Sequence, residues 1–412
     1  MLRSWFRTPL WKRVLLALAL GVVAGVLLGE DAEALRWIGD LFIRAIKMLV
    51  VPLIFFSLVS GVAALGDIGR LGRIGGRALL LFLLTAFLSV SIGMILAAII
   101  RPGDGLQITL PPGSDVPPPP ETSLIDMIVG LVPENPIMAM AEGNILAVLV
   151  FALLFGAALL TAGKDGAPLV RGIDAGSAVM QKMTLIVMEL TPLGVFALIA
   201  WVTGTFGFDA LLPLGELVVL TYVGCGIILF GVYPLILRLV ARLPVVPFYR
   251  GIVDAQAVAF STASSNAALP VTLRCVERNL GVSNSVASFT VGLGATINMN
   301  GTAMFLGAIA LFGAQAYAVE LSWTSYVMIA LTSTLGAIGT AGVPGAALIM
   351  MSLVLSSVGV PLETIAFVAG INHLLDMMRT VTNITGDATV AVAVGRMAGD
   401  LDLERYVSAD DV

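Results

Sequence analysis

Long apolar segments alternate with short polar segments along almost the whole chain. About 20 apolar residues suffice for a helix to cross a bilayer. Eight segments reach that length, at 11–29, 38–65, 78–100, 144–163, 176–205, 210–241, 282–313 and 361–395. Several are longer than needed, which predicts helices that tilt or extend beyond the bilayer. The pattern therefore predicts an all-α polytopic membrane protein with eight transmembrane helices.

Two further apolar segments are interrupted by small and polar residues. The segment 249–280 contains the run Ser261–Pro270, and the segment 325–356 contains Gly336–Gly345. We expect each to form two half-helices joined by a tip, because broken backbone at membrane depth must be satisfied by protein or water. Each of these re-entrant hairpins precedes a span, and the two units form a predicted inverted repeat. Interrupted segments in two halves are typical of a transporter binding site.

Composition supports this class of protein and excludes others. Of the 412 residues, 58% are hydrophobic and 12% are charged, with a mean hydropathy of +1.01, which no soluble globular domain approaches. The net charge of -5 gives no indication of nucleic-acid binding. Cys225 and Cys275 provide neither a disulfide framework nor the spacing of a metal site.

The distribution of basic residues predicts the orientation. With eight spans, the N-terminal basic cluster and the basic loops near 70–77, 164–171 and 238–250 lie on one side, whereas the acidic turn 30–33 lies on the other. The positive-inside rule then places both termini in the cytoplasm, as in a protein of the cell inner membrane. The proline-rich run 111–120 is predicted to be an extended outer loop.

The densest polar cluster within an apolar segment lies at 376–387. At 100° per residue, one third of the helix circumference carries Asp376, Arg379, Thr380, Asn383 and Asp387. A charge at the bilayer centre costs about 2.5–3.5 kcal/mol on insertion scales, so such groups usually face a cavity or a partner. This pattern favours a functional site over the alternative, a buried ion-pair cluster that only orients helices.

The chemistry of this cluster suits an acidic amino acid. Arg379 offers a planar fork of donors to a carboxylate, and Asp376, one turn earlier, can accept from an ammonium group. Ser264 and Ser265, with the N-termini of half-helices, could hold a second carboxylate. A C4-dicarboxylate has no ammonium group for Asp376, and a carrier of neutral amino acids would be expected to lack Arg379. Aspartate or glutamate therefore ranks first.

The other end of the cluster predicts a cation site. Asp387 and Asn383 supply the oxygen ligands that hard cations prefer. The run 294–302 places a glycine and several small polar residues in mid-span, where an unwound turn would expose carbonyl groups. An intramembrane hydrolase using Ser264 or Ser265 with His373 is the rival enzyme interpretation. No nucleophile-elbow pattern surrounds these serines, so we expect no enzyme. A channel is disfavoured because no carbonyl filter is visible.

Four motifs then occur in one order. They are Ser264-Ser265 followed by Ala-Leu-Pro270, Asn298-Met-x-Gly301-Thr302, Gly342-Val-Pro-Gly345, and Asp376-x-x-Arg379-Thr-x-x-Asn383-x-x-Gly-Asp387. With Met48-Leu-Val-Val-Pro52-Leu-Ile-Phe55, this order strongly resembles the dicarboxylate/amino acid:cation symporters, the glutamate transporter family, over nearly the whole chain. The resemblance implies a homotrimer of carriers for small acidic amino acids in the lipid bilayer.

The resemblance also implies a division of labour within each chain. Residues 1–75 and 144–208 would form a scaffold of helices 1, 2, 4 and 5. Residues 76–104 and 209–398 would form a transport domain that moves like an elevator. The segment 105–143 would be the extracellular loop with its connection, and 399–412 a cytoplasmic tail.

Site residues follow from the matching positions. The resemblance implies that Arg379 and Thr302 hold the side-chain carboxylate of the substrate, and that Val343 and Gly345 belong to the extracellular gate. The implied substrate-binding set is Ser264, Ser265, Thr302, Val343, Gly345, Asp376, Arg379, Thr380 and Asn383. The resemblance implies that one sodium ion binds Asp387, Asn298 and the carbonyl groups of Gly294 and Asn383. It implies a second sodium ion at the carbonyl groups around Thr296, Ala337, Ile338 and Thr340.

A third cation site is expected to be weak or absent. Many relatives have Asp where this chain has Asn300, and they often have Tyr and Ser where it has Phe82 and Ala86. The remaining candidates for this site are Thr85, Asn298 and Asn300. Coupling could then use fewer sodium ions, or protons as the alternative coupling ion.

Two other departures concern charge near Asp376. Relatives carry an arginine either at the position of Ala263 or at that of Met377. Its absence would leave Asp376 less neutralised and open to a proton role. We expect the single histidine, His373, to be a satisfied packing residue, and Asn372 to hydrogen-bond a neighbouring helix.

Overall fold

The computed structural model describes residues 8–63, 70–106, 129–130, 132–340 and 342–408. The described part of the chain is helical, without a strand; its one β-type contact is an isolated bridge between Val282 and Leu401. The predicted outer loop at 111–120 lies outside the described residues, as does Ala341 in the second predicted hairpin.

Within the described residues we number seventeen α-helices in chain order, with π-helical turns in α8 and after α10. In the first half they are α1 (Leu10–Leu28), α2 (Arg36–Ala63), α3 (Arg70–Ile100), α4 (Pro136–Glu142), α5 (Ile145–Ala162), α6 (Ala167–Met188), α7 (Thr191–Phe206) and α8 (Leu211–Ala241, including Tyr233–Ile236). In the second half they are α9 (Val245–Thr262), α10 (Ser265–Arg274), α11 (Asn284–Ile297), α12 (Asn300–Ala316), α13 (Trp323–Ile338), α14 (Ala346–Ser357), α15 (Thr364–Ala369), α16 (Asn372–Ala398) and α17 (Leu403–Ser408).

Several helices are long and apolar enough to cross a membrane. By length and composition, the described residues contain four such runs, at Leu10–Ala63, Ile74–Ile100, Leu211–Ala241 and Asn284–Ala316. The pair α6 and α7 makes a fifth if it is one span, and it bends by 48° within the expected span 176–205. Pro192 lies in the first turn of α7. Because proline has no backbone N–H, it cannot donate the hydrogen bond that would continue α6 through this position. A count of eight spans stays a prediction.

Two other expected spans are also broken. The expected span 282–313 is divided into α11 and α12 at Asn298 and Met299, whose backbones leave the helical region. The expected span 361–395 begins with the short α15 before α16 starts at Asn372. These breaks release backbone groups beside the polar cluster, which matters for the site.

The two interrupted segments fold as pairs of helices. In the first pair, α9 and α10 are separated by Ala263 and Ser264 only. In the second pair, α13 and α14 are separated by 339–345. We call these pairs hairpin 1 and hairpin 2. Their depth in a membrane stays a prediction.

The helices pack in two groups. Helices α1, α2, α5, α6 and α7 pack mainly with one another. Helix α16 is surrounded by α3 and by α8 to α12, while the arms of hairpin 2 pack on α12. The division of the chain into a scaffold and a transport domain stays a prediction. Relative movement of the two groups stays a prediction.

Candidate functional site

The polar cluster of α16 lies in the interior of the molecule. Asp376 is 6% exposed, Asp387 is 1% exposed and Arg379 is fully buried. Burial of three charged groups is costly unless each is paired or bound to a counter-charge. The partners of these groups therefore indicate what the site can bind.

Arg379 is only partly satisfied by the protein. Its Nη2 donates to Asp376 Oδ1 at 3.0 Å and to Asn372 Oδ1 at 2.8 Å. Its guanidinium carbon lies 4.2 Å from the centroid of the Phe305 ring, an arrangement that favours a cation. Its Nε and Nη1 are buried and have no hydrogen-bond partner. Two charged donors are thus available to an acceptor such as a carboxylate.

Asp376 connects this arginine to hairpin 2. Its Oδ2 accepts a hydrogen bond of 2.7 Å from the backbone N–H of Gly345. Gly345 precedes α14 with a φ of +79°, a conformation that favours glycine. A carboxylate that could accept from a ligand ammonium group is therefore also the point at which the tip of hairpin 2 is attached to α16.

The tips of the two hairpins meet at one carbonyl group. Gly342 O accepts from Ser264 Oγ at 2.8 Å and from the backbone N–H of Asn266 at 3.0 Å. Ser264 also caps α10, since its Oγ accepts from Ala267 N at 3.2 Å. Ser265, the first residue of α10, is buried. The predicted serines thus lie at a half-helix N-terminus beside hairpin 2.

At its other end, the cluster contacts the break between α11 and α12. Asn298 Nδ2 donates to Asp387 Oδ1 at 2.8 Å and lies 3.4 Å from the carbonyl oxygen of Asn383. Asn383 Oδ1 accepts from the backbone N–H of Gly301 at 2.8 Å. Gly294 approaches so closely that a Cβ added there would lie 2.4 Å from Asp387 Oδ1. The structure thus brings together Gly294, Asn298, Asn383 and Asp387.

The electrostatics here differ from those around Arg379. Among the described residues, no ion pair includes Asp387, and its recorded donor is a neutral amide. The side-chain oxygens of Asn298 and Asn300 are both buried without a hydrogen-bond partner. A buried carboxylate beside two unsatisfied oxygens suits a cation or a proton.

The second predicted sodium site lies where α13 ends. Thr340 N donates to Ala337 O at 3.1 Å, and Thr340 Oγ1 donates to Gly336 O at 2.8 Å. Ala337 packs with Met299, so the end of α13 adjoins the break between α11 and α12. Thr296 Oγ1 donates within α11, to Leu293 O, and Ile338 is the last residue of α13.

Two side chains considered for a third cation site, Thr85 and Asn300, form hydrogen bonds to other groups of the protein. Thr85 Oγ1 donates to carbonyl groups of its own helix, at Leu81 and Phe82. Asn300 Nδ2 donates to Tyr233 OH at 2.9 Å, and this hydroxyl donates to Thr382 O at 2.8 Å. The apolar cluster beside them consists of Ala86, Val90, Met299, Ala303 and Ala337.

Most of the chain matches one family model. The model of the "Sodium:dicarboxylate symporter family" matches residues 10–397. The chain belongs to this family. The expected resemblance is therefore confirmed, and the chain is a membrane transporter rather than an enzyme.

Individual relatives are named for related but different activities. The "Proton/sodium-glutamate symport protein" of Bacillus subtilis (strain 168) is 33% identical over 94% of this chain and 92% of its own length. The "C4-dicarboxylate transport protein" of Rhodospirillum rubrum is 34% identical over 98% and 93%. The "Proton/glutamate-aspartate symporter" of Escherichia coli (strain K12) is 34% identical over 96% and 94%. Substrates of the symporter family thus include glutamate and dicarboxylates, with sodium or protons as coupling ions.

The remaining predicted substrate residues are buried near this centre. Thr302 lies in the first turn of α12, Thr380 follows Arg379, and Val343 lies in the tip of hairpin 2; each is less than 9% exposed. Their assignment to a substrate stays a prediction, as does that of the other residues in the set.

Three side chains of the site were not assigned to it from the sequence. Asn372 bonds Arg379 on its own helix, and not a neighbouring helix as expected. Its position two turns before Arg379, on the same face, could have indicated this contact. Phe305 and Tyr233 gave no such signal, because they come from other helices. His373 is buried, but its Nε2 has no hydrogen-bond partner, so the expectation of a satisfied histidine was wrong.

Proposed function

We propose that this protein is a secondary active symporter that imports aspartate or glutamate together with sodium ions. In this proposal, Arg379 binds a substrate carboxylate, Asp376 binds the amino group, and the hairpin tips with Asn383 hold the second carboxylate. Asp387 and its neighbours bind sodium. Membership of the family establishes that the chain is a symporter of acidic substrates. The identity of the substrate and that of the coupling ion are what we propose.

The observation that carries the acidic substrate is the state of Arg379. A fully buried guanidinium group with two unpartnered donors has a large desolvation cost that an anionic ligand would offset. Asp376 neutralises its charge but uses only Nη2. Nε and Nη1 point to different edges of the guanidinium group, so a ligand carboxylate that accepts from Nη1 would add a charge-assisted hydrogen bond and leave Nε for a second ligand oxygen.

Asp376 supports an amino acid over a C4-dicarboxylate. A dicarboxylate would place a second anion near this buried carboxylate with no cationic group to compensate it. The ammonium group of aspartate or glutamate supplies that charge. The backbone N–H of Gly345 donates to Oδ2 of Asp376. Binding of an ammonium group at Asp376 would therefore depend on whether the tip of hairpin 2 is hydrogen-bonded to this carboxylate.

The sodium proposal rests on Asp387. This buried carboxylate needs a positive partner, and Asn298 and Asn383 add neutral oxygens of the kind that sodium prefers. A second sodium ion is assigned to Thr296, Ala337, Ile338 and Thr340. The third site is proposed to be absent, because Asn300 is engaged with Tyr233 and the neighbouring wall is apolar.

Proton coupling is the second candidate, and the same carboxylate favours it. A proton on Asp387 would satisfy the burial requirement with no further ligand. The loss of a carboxylate at Asn300 also leaves fewer charged ligands for metal cations. This alternative is supported by relatives that are named as proton symporters.

Elevator movement in a homotrimer is part of the proposal. A cavity of about 290 Å³ separates the two helix groups, and it is lined by Asn266 and Gly342 on one side and by Ser57, Ser60 and Gly61 on the other. These last residues lie near the C-terminal end of α2, which the predicted topology places at the cytoplasmic side. Hairpin tips level with that end correspond to an inward-facing position of the transport domain.

The test is uptake of labelled aspartate into proteoliposomes, with sodium and proton gradients imposed separately. Concentrative uptake driven by a sodium gradient alone supports the proposal. Uptake driven by a proton gradient in sodium-free buffer selects the second candidate. Uptake of succinate with equal efficiency would reject the amino acid assignment while leaving symport intact.

A further inference from the structure

Two adjoining cavities lie between α3 and the first arm of hairpin 2, away from the site described above. One, of about 530 Å³, is lined by Phe87, Ile95 and Ala98 of α3 and by Trp323, Tyr326 and Ala330 of α13. The other, of about 430 Å³, is lined by Ala98, Arg101, Asp104, Gln315, Glu320 and Tyr326. Ala98 and Tyr326 line both, so the two cavities adjoin at these residues, which we call the neck.

The cavities differ in chemistry. The first is lined almost wholly by apolar side chains, among which Phe87 is 54% exposed and Ile95 is 57% exposed. The second carries Arg101, Asp104 and Glu320, which sum to one negative charge. The apolar cavity extends along α3 from Phe87 to Ala98, and the charged cavity begins where α3 ends. One end of the site is therefore apolar and the other is charged.

The dimensions match one leaflet of a bilayer. The eleven-residue step along α3 from Phe87 to Ala98 spans about 16 Å at 1.5 Å per residue. Half of a bilayer hydrocarbon core is about 15 Å. Trp323, which is 80% exposed, and Tyr326 lie beside the neck, and these residue types are enriched at the membrane–water interface.

We propose that this two-part cavity binds a phospholipid with a zwitterionic, ethanolamine-type headgroup. The acyl chain lies in the apolar cavity and the headgroup in the charged one. Arg101 faces the phosphate, although it is held by Asp104 at 2.5 Å, and Glu320 faces the ammonium group. The net negative charge disfavours an anionic headgroup such as that of phosphatidylglycerol, which has no ammonium group for Glu320.

The floor of the headgroup cavity is fixed by Gln315. Its Nε2 donates to Ala97 O at 2.9 Å and its Oε1 accepts from Gly103 N at 3.1 Å. This side chain holds the C-terminal end of α3 against α12. Since α13 is an arm of hairpin 2, the bound lipid lies directly against the element proposed to gate the substrate.

The test is lipid retention by the full-length protein, purified from membranes that contain phosphatidylethanolamine and phosphatidylglycerol in equal amounts. Native mass spectrometry counts the lipid of each class per chain. We expect about one retained phosphatidylethanolamine, preferred over phosphatidylglycerol by about two- to fivefold, as an exposed charge pair contributes. Equal retention of both classes by the unmodified protein would overturn the headgroup assignment.

Variants locate the lipid. Ala98→Trp blocks the neck and should abolish the retained lipid, whereas Leu84→Trp, on an exposed part of α3 outside both cavities, should leave it unchanged. If Ala98→Trp does not fold, Ala330→Phe fills the apolar cavity from α13. Glu320→Gln should remove the preference between the two classes but keep a bound lipid. Retention that is the same in Ala98→Trp, or Ala330→Phe, and Leu84→Trp would reject the site.

Discussion

The two ends of the polar cluster on α16 are built on opposite principles. At one end, Arg379 is paired with Asp376 at 3.0 Å, and two of its donors remain unpartnered. At the other end, Asp387 accepts from the neutral amide of Asn298, and two amide oxygens remain unpartnered. Excess donors at one end suit an anion, and excess acceptors at the other suit a cation.

This difference gives a physical basis for coupling. Burial of unsatisfied polar groups at the two ends of the cluster carries a desolvation free-energy cost at each end. The anion offsets this cost at the Arg379 end, and the cation offsets it at the Asp387 end. Asn383 lies between the ends: its Oδ1 accepts from the backbone N–H of Gly301, and its carbonyl oxygen lies near Asn298. If Asn383 contacts both ligands, as proposed, substrate and cation binding are coupled, and each ligand changes the affinity of the other by the same factor.

The largest expected effect comes from removing the anion-binding group. Arg379→Ala loses two charge-assisted hydrogen bonds of about 1.5–3 kcal/mol each, so aspartate affinity should fall by about 10²- to 10⁴-fold. Arg379→Lys keeps the charge but not the fork, and should lose less. Binding is measured by calorimetry on the purified protein, with the exposed Arg238→Gln as a matched control. Affinity within a few-fold of wild type in Arg379→Ala would contradict the assignment.

The next effect concerns the opposite end. Asp387→Asn removes the charge that a cation would neutralise, so sodium affinity should fall by about 10- to 100-fold. The readout is the midpoint of thermal unfolding against sodium concentration, because a ligand that binds the folded state stabilises it. Wild type should gain stability with sodium and Asp387→Asn should not. The exposed Asp254→Asn should behave as wild type. An unchanged sodium response in Asp387→Asn would remove this residue from the cation site.

Asp376 should affect selectivity more than total binding. Asp376→Asn removes the negative charge and one of the two acceptor oxygens available to an ammonium group but keeps the shape of the side chain, so aspartate affinity should fall by about tenfold or more. Succinate, which has no ammonium group, should bind Asp376→Asn at least as well as wild type. The ratio of the two affinities is measured by competition. A parallel loss for both ligands would mean that Asp376 acts only through Gly345 and Arg379.

The smallest expected effect is the recovery of a lost site. Asn300→Asp alone buries a second carboxylate beside Tyr233 and should destabilise the protein by about 1–3 kcal/mol. Combined with Phe82→Tyr and Ala86→Ser, it supplies the carboxylate and hydroxyl groups that the resemblance implies for a third cation site. The Hill coefficient of sodium-dependent uptake should then rise by about one. No rise in the combined variant would show that the third site is limited by something other than these three positions.

Most of the fold could be predicted from the sequence, because hydrophobic patterning dominates membrane helices. The predicted tips 261–270 and 336–345 contain the observed breaks of both hairpins. The unwound turn expected within 294–302 is the break at Asn298 and Met299. The bend before Pro192 was missed, because an apolar run long enough to span does not reveal a change of direction inside it.

The site was predictable along α16 and less so between helices. The helical period places Asp376, Arg379 and Asp387 on one face of α16, because all three belong to the same helix. The Tyr233 hydroxyl that engages Asn300 comes from α8, and no spacing within one segment indicates it. Contacts of this kind depend on how helices cross, which a single sequence does not specify.

The measurement that tests the account most directly is uptake by the unmodified protein in proteoliposomes under an inward sodium gradient, with labelled aspartate and either unlabelled succinate or unlabelled glutamate as competitor. The account predicts concentrative uptake that requires sodium, is inhibited by glutamate and is not inhibited by an equal concentration of succinate. Uptake that persists without sodium under a proton gradient, or inhibition by succinate equal to that by glutamate, would contradict it.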